Sequence, residues 1–359
     1  MKRRNFLKSI GGSLTLSSLL ITSSNAVAQK NEYKWKMVTS WPKNFPGLGV
    51  GAENLANLIN KLSNNRIKIK VYGANELIPP LEVFDFVSSG GAELGHSGAY
   101  YWKGKSAACS FFSSVPFGMN SQEMNAWLYY GGGLQLWEKL YKEFNLIPRP
   151  AGNTGVQMGG WFNKEIKNLE DLNGLKIRMP GLGGEVLRKV GAAAVAIPGG
   201  EIFSSLKSGA IDATEWVGPW NDLSLAFYQA AKFYYWPGFH EPGAGLATGI
   251  NLDTWNSFSK SEQSIIRQIL AFENNFTLAE FNHHNSIALD TLVKKHNVQM
   301  RTFSPEIMKS LKILSEEVLE DVSTRTNISK KIFLSFKDSI ERLKEWSGKS
   351  EQAYMKARG

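Results

Sequence analysis

Val83-Phe84-Asp85-Phe86-Val87-Ser88-Ser89-Gly90-Gly91-Ala92-Glu93 and Ile202-Phe203-Ser204-Ser205-Leu206-Lys207-Ser208-Gly209-Ala210-Ile211-Asp212 align without a gap. Each reads as a helix closed by Ser-Gly, the glycine serving as a left-handed cap, followed by a strand. The repetition predicts two related α/β units. His96 and Glu215 would then occupy equivalent places just beyond the carboxyl ends of the two strands, where open α/β sheets bind their ligands. Two such sheets facing one another leave a cleft between them.

Working outward from the first copy, Lys34–Ser40 alternates apolar and polar residues as a strand does, and Gly49–Leu62 carries apolar residues at helical spacing. Arg66–Tyr72 alternates again, Pro80–Ser89 reads as a short helix and Ala92–His96 as a strand. Around the second copy the pattern predicts strands over Val156–Phe162, Leu175–Met179, Ala193–Ile197 and Ile211–Trp216. Leu169–Leu172, Glu185–Val190 and Ile202–Lys207 are the intervening helices. Strand and helix alternation twice over predicts two parallel sheets covered by helices. Beyond Leu252 the chain turns helical, over Glu262–His296, Pro305–Val322 and about Ser329–Lys356. The last helix, about 42 Å at 1.5 Å per residue, carries Ile332, Phe336, Ile340, Leu343 and Trp346 on one face. Such a stripe packs either on its own chain or on a second copy.

The N-terminus points to export. Lys2, Arg3 and Arg4 precede an uncharged stretch from Ser9 to Ala28 that ends in Ala26-Val27-Ala28, a small-x-small cleavage pattern. The paired arginines also resemble a twin-arginine signal. Removing residues 1–28 takes four cations and no acid, so the formal charge falls from +9 to +5. The basic excess is therefore no footprint for nucleic acid. Cys109 is the single cysteine, which excludes an internal disulfide and a thiolate metal site, and its apolar neighbours make it core filler.

Enzymatic patterns are weak. Gly-x-Ser-x-Gly does not occur, and His240-Glu241 is followed by Pro242-Gly243-Ala244, not by a second histidine one turn later. His283 and His284 are helix neighbours that point apart. Gly181-Leu182-Gly183-Gly184 opens a helix but lacks the dinucleotide spacing. Polar residues in Gly- and Trp-rich surroundings at strand ends stand out instead. Gln157 lies in Gly155-Val156-Gln157-Met158-Gly159-Gly160-Trp161-Phe162, and Arg178 in Leu175-Lys176-Ile177-Arg178-Met179-Pro180. A guanidinium offers a planar fork to a carboxylate; a surface ion pair is the plainer alternative. Glu215-Trp216 ends a strand and Glu241 follows Phe233–Phe239; with an amide or backbone oxygen they suit Na⁺, Ca²⁺ or Mg²⁺ rather than zinc. Tyr100, Tyr101 and Trp102 would be aromatic walls of the cleft.

Residues 33–260 resemble the solute-binding proteins of TRAP transporters, the tripartite periplasmic importers driven by ion gradients. The carrying segments include Trp35-Lys36-Met37-Val38-Thr39-Ser40-Trp41-Pro42, Glu93-Leu94-Gly95-His96, Tyr100-Tyr101-Trp102-Lys103-Gly104-Lys105 and Val115-Pro116-Phe117-Gly118. Gly155–Phe162, Leu172–Arg178, Ala210–Trp216 and Tyr234-Tyr235 continue the match, which looks closest to the branch taking 2-oxo and 2-hydroxy monocarboxylates. The resemblance implies a two-domain α/β periplasmic binding protein fold, type II-like, with a ligand cleft between domains and a long C-terminal helix. Domain I would comprise 29–152 and 247–303 and domain II 153–246, with 304–359 a possible dimerisation element. It implies that Arg178 pairs with the substrate carboxylate, and that Gln157, Glu215 and the carbonyl of Trp216 hold a bridging Na⁺ or Ca²⁺, with Glu241 a further ligand. Tyr100, Tyr101 and Asn153 would line the pocket, and the downstream partner would be the membrane subunits of the transporter. A secreted metal-dependent enzyme acting on small acids, with His96 or Glu215 as base, and a binding partner of a sensor kinase are the competing readings.

Overall fold

A computed structural model describes residues 32–359, so the expected signal segment lies outside the described residues. The strands are β1 (Tyr33–Thr39), β2 (Ile67–Tyr72), β3 (Leu94–Gly98), β4 (Leu146–Asn153), β5 (Gly160–Phe162), β6 (Lys176–Arg178), β7 (Ala193–Val195), β8 (Ala213–Thr214), β9 (Phe233–Trp236), β10 (Gly245–Asn251) and β11 (Gln299–Thr302). They form two sheets, ordered β2-β1-β3-β10-β4 and β11-β9-β5-β8-β6-β7.

The repeat read from sequence reappears as topology. In each sheet a first strand pairs in parallel with the next strand on one side and with the third on the other: β2-β1-β3 and β7-β6-β8. Helices Val83–Ser88 and Gly199–Ser208 lead into the third strands, and Gly90 and Gly209 sit at φ 83° and 75° after them. Left-handed backbone costs glycine nothing, which is why Ser-Gly punctuates both copies. Val83 and Val87 are buried in one helix, Ile202 and Leu206 in the other.

The sheets are mixed, not purely parallel. β10 runs antiparallel to β3 and β4, and β5 antiparallel to β8 and β9. The chain therefore passes from the first sheet to the second through residues 154–159 and returns through 237–244. The first crossover replaces most of the strand expected over Val156–Phe162: only Gly160–Phe162 pairs, and Val156 is exposed. Gly155 and Gly160, at φ 70° and 114°, turn the backbone out of and back into extended form. The strand expected over Ala92–His96 runs instead over Leu94–Gly98, so His96 is central in it and not beyond its end. Lying between β1 and β10, that strand is buried on both faces and carries no alternation to read. β11, from the stretch expected with the first unit, pairs with β9 in the second sheet.

A 35-residue helix, Lys260–Lys294, packs along β4 and also against helices Leu48–Leu62 and Pro219–Ser224. One apolar cluster joins Trp41, Phe45 and Leu48 to Trp161, Ile202 and Trp216, so side chains from both halves share a core. The expected single helix over Ser329–Lys356 is two: Asn327–Lys349 and Glu351–Arg358, broken at Ser350 (φ −108°, ψ −93°). The stripe that holds the first in place, Ile332 and Phe336 with Ile340 and Leu343, packs on this chain's own core and ends before the break. Trp346 is 69% exposed. Among the described residues no helix is long and apolar enough to cross a membrane.

Candidate functional site

Arg178 ends β6 in the second sheet and is 1% exposed, which sets aside the plainer alternative of a surface arginine. Its Nε donates to the Ile197 carbonyl (3.1 Å), Nη1 to the Glu215 carbonyl (3.1 Å) and Nη2 to the Tyr101 hydroxyl (3.2 Å). Nη1 also makes an ion pair with Glu215 Oε1. The guanidinium carbon lies 4.9 Å from the Trp216 ring centroid. Burial by itself would weaken the protonated form, but the Glu215 carboxylate and the neighbouring tyrosines more than reverse that, so the guanidinium stays charged.

Glu215 follows β8 on the adjacent strand, so parallel pairing of Arg178 with Thr214 fixes the two charges side by side. Its second oxygen lies 3.2 Å from His240 Nε2. His240 and Glu241 come from the return crossover, and Gln157 from the outgoing one. The two crossovers are tied by the Gln157 N–H donating to the Glu241 carbonyl (3.1 Å), and Gln157 Nε2 donates to Thr154 Oγ1 (3.0 Å). Gln157 Oε1 and Glu241 Oε2 are buried acceptors with no hydrogen-bond donor. Burial, then the charge of Glu215, pushes the Glu241 carboxyl well above the usual carboxylate range.

The first sheet supplies the aromatic wall. Tyr100 and Tyr101 meet edge to face at 4.7 Å in the turn after β3. Trp41, held by its Nε1 donating to His96 Nδ1 (2.9 Å), stands 6.2 Å from Tyr101 and 6.3 Å from Trp216 between centroids. Asn153 is buried at the end of β4, and its Oδ1 accepts from the Gly155 N–H (2.9 Å), which shapes the outgoing crossover. The space enclosed is small, about 10 Å³, between Trp41, Tyr100, Gln157, Trp216 and the aliphatic residues beside them. A larger apolar groove of about 350 Å³ lies elsewhere, between Val115–Gly118 and the helices Pro305–Thr324 and Asn327–Lys349.

Most of the residues singled out from sequence converge here, but His96 lies behind Trp41, and Trp102, expected as a wall of the cleft, packs instead on Phe84 in the core at 5.3 Å between centroids. Sequence reasoning missed His240, Thr154 and the Ile197 carbonyl. His240 alone had a signal, its adjacency to Glu241; the others are set by backbone geometry. A metal fits the donor set. Glu215, His240 and Glu241 offer atoms all within 4.8 Å of one another, and the two orphaned oxygens lack only a positive partner.

A guanidinium buried between two sheets, with the chain crossing between them on either side of it, defines a bilobal solute-binding protein. Residues 37–325 match the family model of bacterial extracellular solute-binding proteins, family 7, and the chain belongs to that family. The chain is 40% identical over 358 residues to the monocarboxylate 2-oxoacid-binding periplasmic protein of Nostoc sp., covering 99% of this chain and 98% of that one. It is similar to the TRAP periplasmic solute-binding protein of Colwellia psychrerythraea with bound calcium and pyruvate, at TM-score 0.88 and 40% identity, over 91% of this chain and 100% of that one. The protein of Pseudoalteromonas atlantica with bound sodium and pyruvate gives 0.88 and 38%, over 91% and 99%. The resemblance read from sequence thus holds for family and fold.

Proposed function

We propose that this chain is the extracytoplasmic solute-binding component of a TRAP-type importer. It captures a small 2-oxo or 2-hydroxy monocarboxylate, such as pyruvate or lactate, together with calcium or sodium. The observation that carries this reading is the fully buried Arg178 beside two orphaned acceptors, Gln157 Oε1 and Glu241 Oε2. An anion answers the first and a hard cation the second. The relatives from Colwellia and Pseudoalteromonas hold that pair of ligands.

Arg178 orients the carboxylate through its fork, with Tyr101 at the same edge. Glu215, Glu241, Gln157 and the Trp216 carbonyl hold the cation. Bound there, the cation would supply Lewis-acid charge that offsets the acid's negative charge. Tyr100, Tyr101, Trp41 and Trp216 exclude water, so these charges interact in a low dielectric. Because the ligands come from both sheets and both crossovers, the acid favours approach of the two lobes, 29–152 with 247–298 and 153–246 with β11. Capture is without turnover: His96, the candidate base, is buried with its ring engaged by Trp41 and the Ala151 carbonyl. Residues 1–28 direct export to the periplasm. Exposed Leu334, Trp346, Tyr354 and Met355 on the last two helices support pairing with a second copy, and sedimentation showing only monomer at high concentration removes that pairing.

Calorimetric titration of the mature protein with pyruvate, before and after EDTA and with calcium or sodium restored, tests the reading. One-to-one binding that chelation abolishes and calcium restores is expected for a calcium site, and sodium-dependent binding for a sodium site. No binding under any ion condition overturns the assignment.

A further inference from the structure

The small chamber has a mixed lining: Tyr100, Thr154 and Gln157 are polar, and Leu48, Val217 and Leu246 are aliphatic. It lies beside Trp216, whose ring packs on the Arg178 guanidinium. About 10 Å³ is room for roughly one water, so an acid enters only as this lining gives way, and its apolar tail is matched by the three aliphatic residues.

The walls differ in how firmly they are held. Trp41 is fixed by its hydrogen bond to His96 and by the rings of Tyr101 and Trp216. Trp216 has no room behind it: a Cβ on Gly199 would lie 2.4 Å from its ring. Val217 is anchored by its backbone, its N–H donating to Asp222 and its carbonyl accepting from Met158. Leu48 and Leu246 make only apolar contact through their side chains. Leu48 opens the helix Leu48–Leu62, and Leu246 lies in β10 opposite Gly152. A Cβ on Gly152 would meet Leu246 Cδ1 at 2.9 Å, so Gly152 leaves the leucine its place.

We infer that Leu48 and Leu246 set the length of the acid this site accepts, acting as the removable wall of the chamber. The inference rests on the 2-oxo acid reading above. Pyruvate presents one methyl group to that wall, and each further carbon has to displace leucine. Truncating either leucine gives the tail new space without breaking a hydrogen bond. Adding a methyl group at position 152 pushes Leu246 inward.

The test is a calorimetric titration series with pyruvate, 2-oxobutyrate, 2-oxopentanoate and 2-oxohexanoate under the ion condition that supports binding. Wild-type protein should bind pyruvate and lose affinity down the series. Leu246→Ala and Leu48→Ala should lower the 2-oxopentanoate-to-pyruvate Kd ratio about tenfold or more, the scale of one or two methylenes in an apolar pocket. Gly152→Ala should raise that ratio. Leu246→Val serves where the alanine variant does not fold, with a smaller shift of the same sign. Ratios equal to wild type in every folded variant, with pyruvate still bound, overturn the inference and leave the function standing. Failure of wild-type protein to bind any acid of the series overturns both.

Discussion

Replacing Arg178 should separate what this side chain does for the fold from what it does for the ligand. In the absence of a bound cation its charge is the nearest partner of Glu215, and both are 1% exposed or less. Arg178→Met keeps the volume but leaves two carboxyl groups, Glu215 and Glu241, buried without a cation between them. Breaking one partner of a buried pair costs about 3–5 kcal/mol. In a chain of this size that is a fall in melting temperature of roughly 4–7 °C. The double variant Arg178→Met with Glu215→Gln removes both charges, and should recover most of that loss because a neutral buried pair carries no uncompensated charge. Pyruvate affinity behaves differently. Two charge-assisted hydrogen bonds at about 1.5–3 kcal/mol each correspond to a loss of about 10²–10⁴-fold, and the double variant should not regain it. Thermal melts and calorimetry on EDTA-treated, sodium-free protein, with ions restored for the ligand titrations, read both quantities. A single variant that melts with wild type, or a double variant no more stable than the single, would refute the electrostatic argument.

Burial holds the His96 pKa down to about 4 from 6.5, so the ring is neutral in the folded chain at neutral pH. Its contribution to stability is complete above pH 6.5 and is lost as pH falls toward 4, at up to about 1.4 kcal/mol per pH unit. His96→Gln should therefore flatten the acid limb of urea stability measured from pH 7 to 4, and an unchanged slope would remove His96 as its source. Glu241→Gln keeps an oxygen in place and removes a charge, so calcium affinity should fall about tenfold or more while the melting temperature of ion-free protein does not fall; unaltered calcium affinity excludes Glu241 as a ligand. Gly160→Ala places a Cβ 2.5 Å from the Thr214 carbonyl oxygen at φ 114° and should cost more than about 2 kcal/mol. Gly200→Ala, with open space around it, is the control that should melt with wild type.

The parts of the fold legible in sequence are those set by local pattern. Apolar spacing and the two Ser-Gly stops give the helices before β3 and β8, and the alternation of Ile67, Ile69 and Val71 gives β2 its face. The antiparallel partners were not legible. β10 joins β3 across about 150 residues, and nothing local to Gly245–Asn251 says which sheet it enters. The crossover at 154–159 misreads as strand because Val156 and Met158 alternate with Gln157, although Val156 is exposed and strand pairing begins only at Gly160. In the C-terminal helix the apolar stripe ends at Leu343, and the break at Ser350 carries no sequence signal, being a local turn of the backbone at φ −108° and ψ −93°. For the site, Arg178, Gln157, Glu215 and Glu241 stand out as polar residues in apolar surroundings. Leu48 and Leu246 do not, because an aliphatic residue on a pocket wall looks like any core residue.

The repeat also accounts for where the site lies. His96 and Glu215 hold matching positions in the two copies, yet only Glu215 faces ligand chemistry. Both third strands have a parallel neighbour on one side and an antiparallel one on the other, so the difference lies in the side chains. In the first sheet Trp41 covers His96 with a hydrogen bond; in the second, Arg178, paired with Thr214, meets Glu215. The first unit has become the wall that Tyr100, Tyr101 and Trp41 build, and the second carries the charge. Each crossover adds what neither sheet holds, Gln157 from one and His240-Glu241 from the other, and three backbone hydrogen bonds link them: Thr154 N–H to the Ala244 carbonyl, Gln157 N–H to the Glu241 carbonyl and Gly238 N–H to the Gln157 carbonyl. On the function proposed above, a ligand that engages all of them touches both crossovers at once, so substitutions in either crossover should alter pyruvate affinity, which calorimetric titration reads.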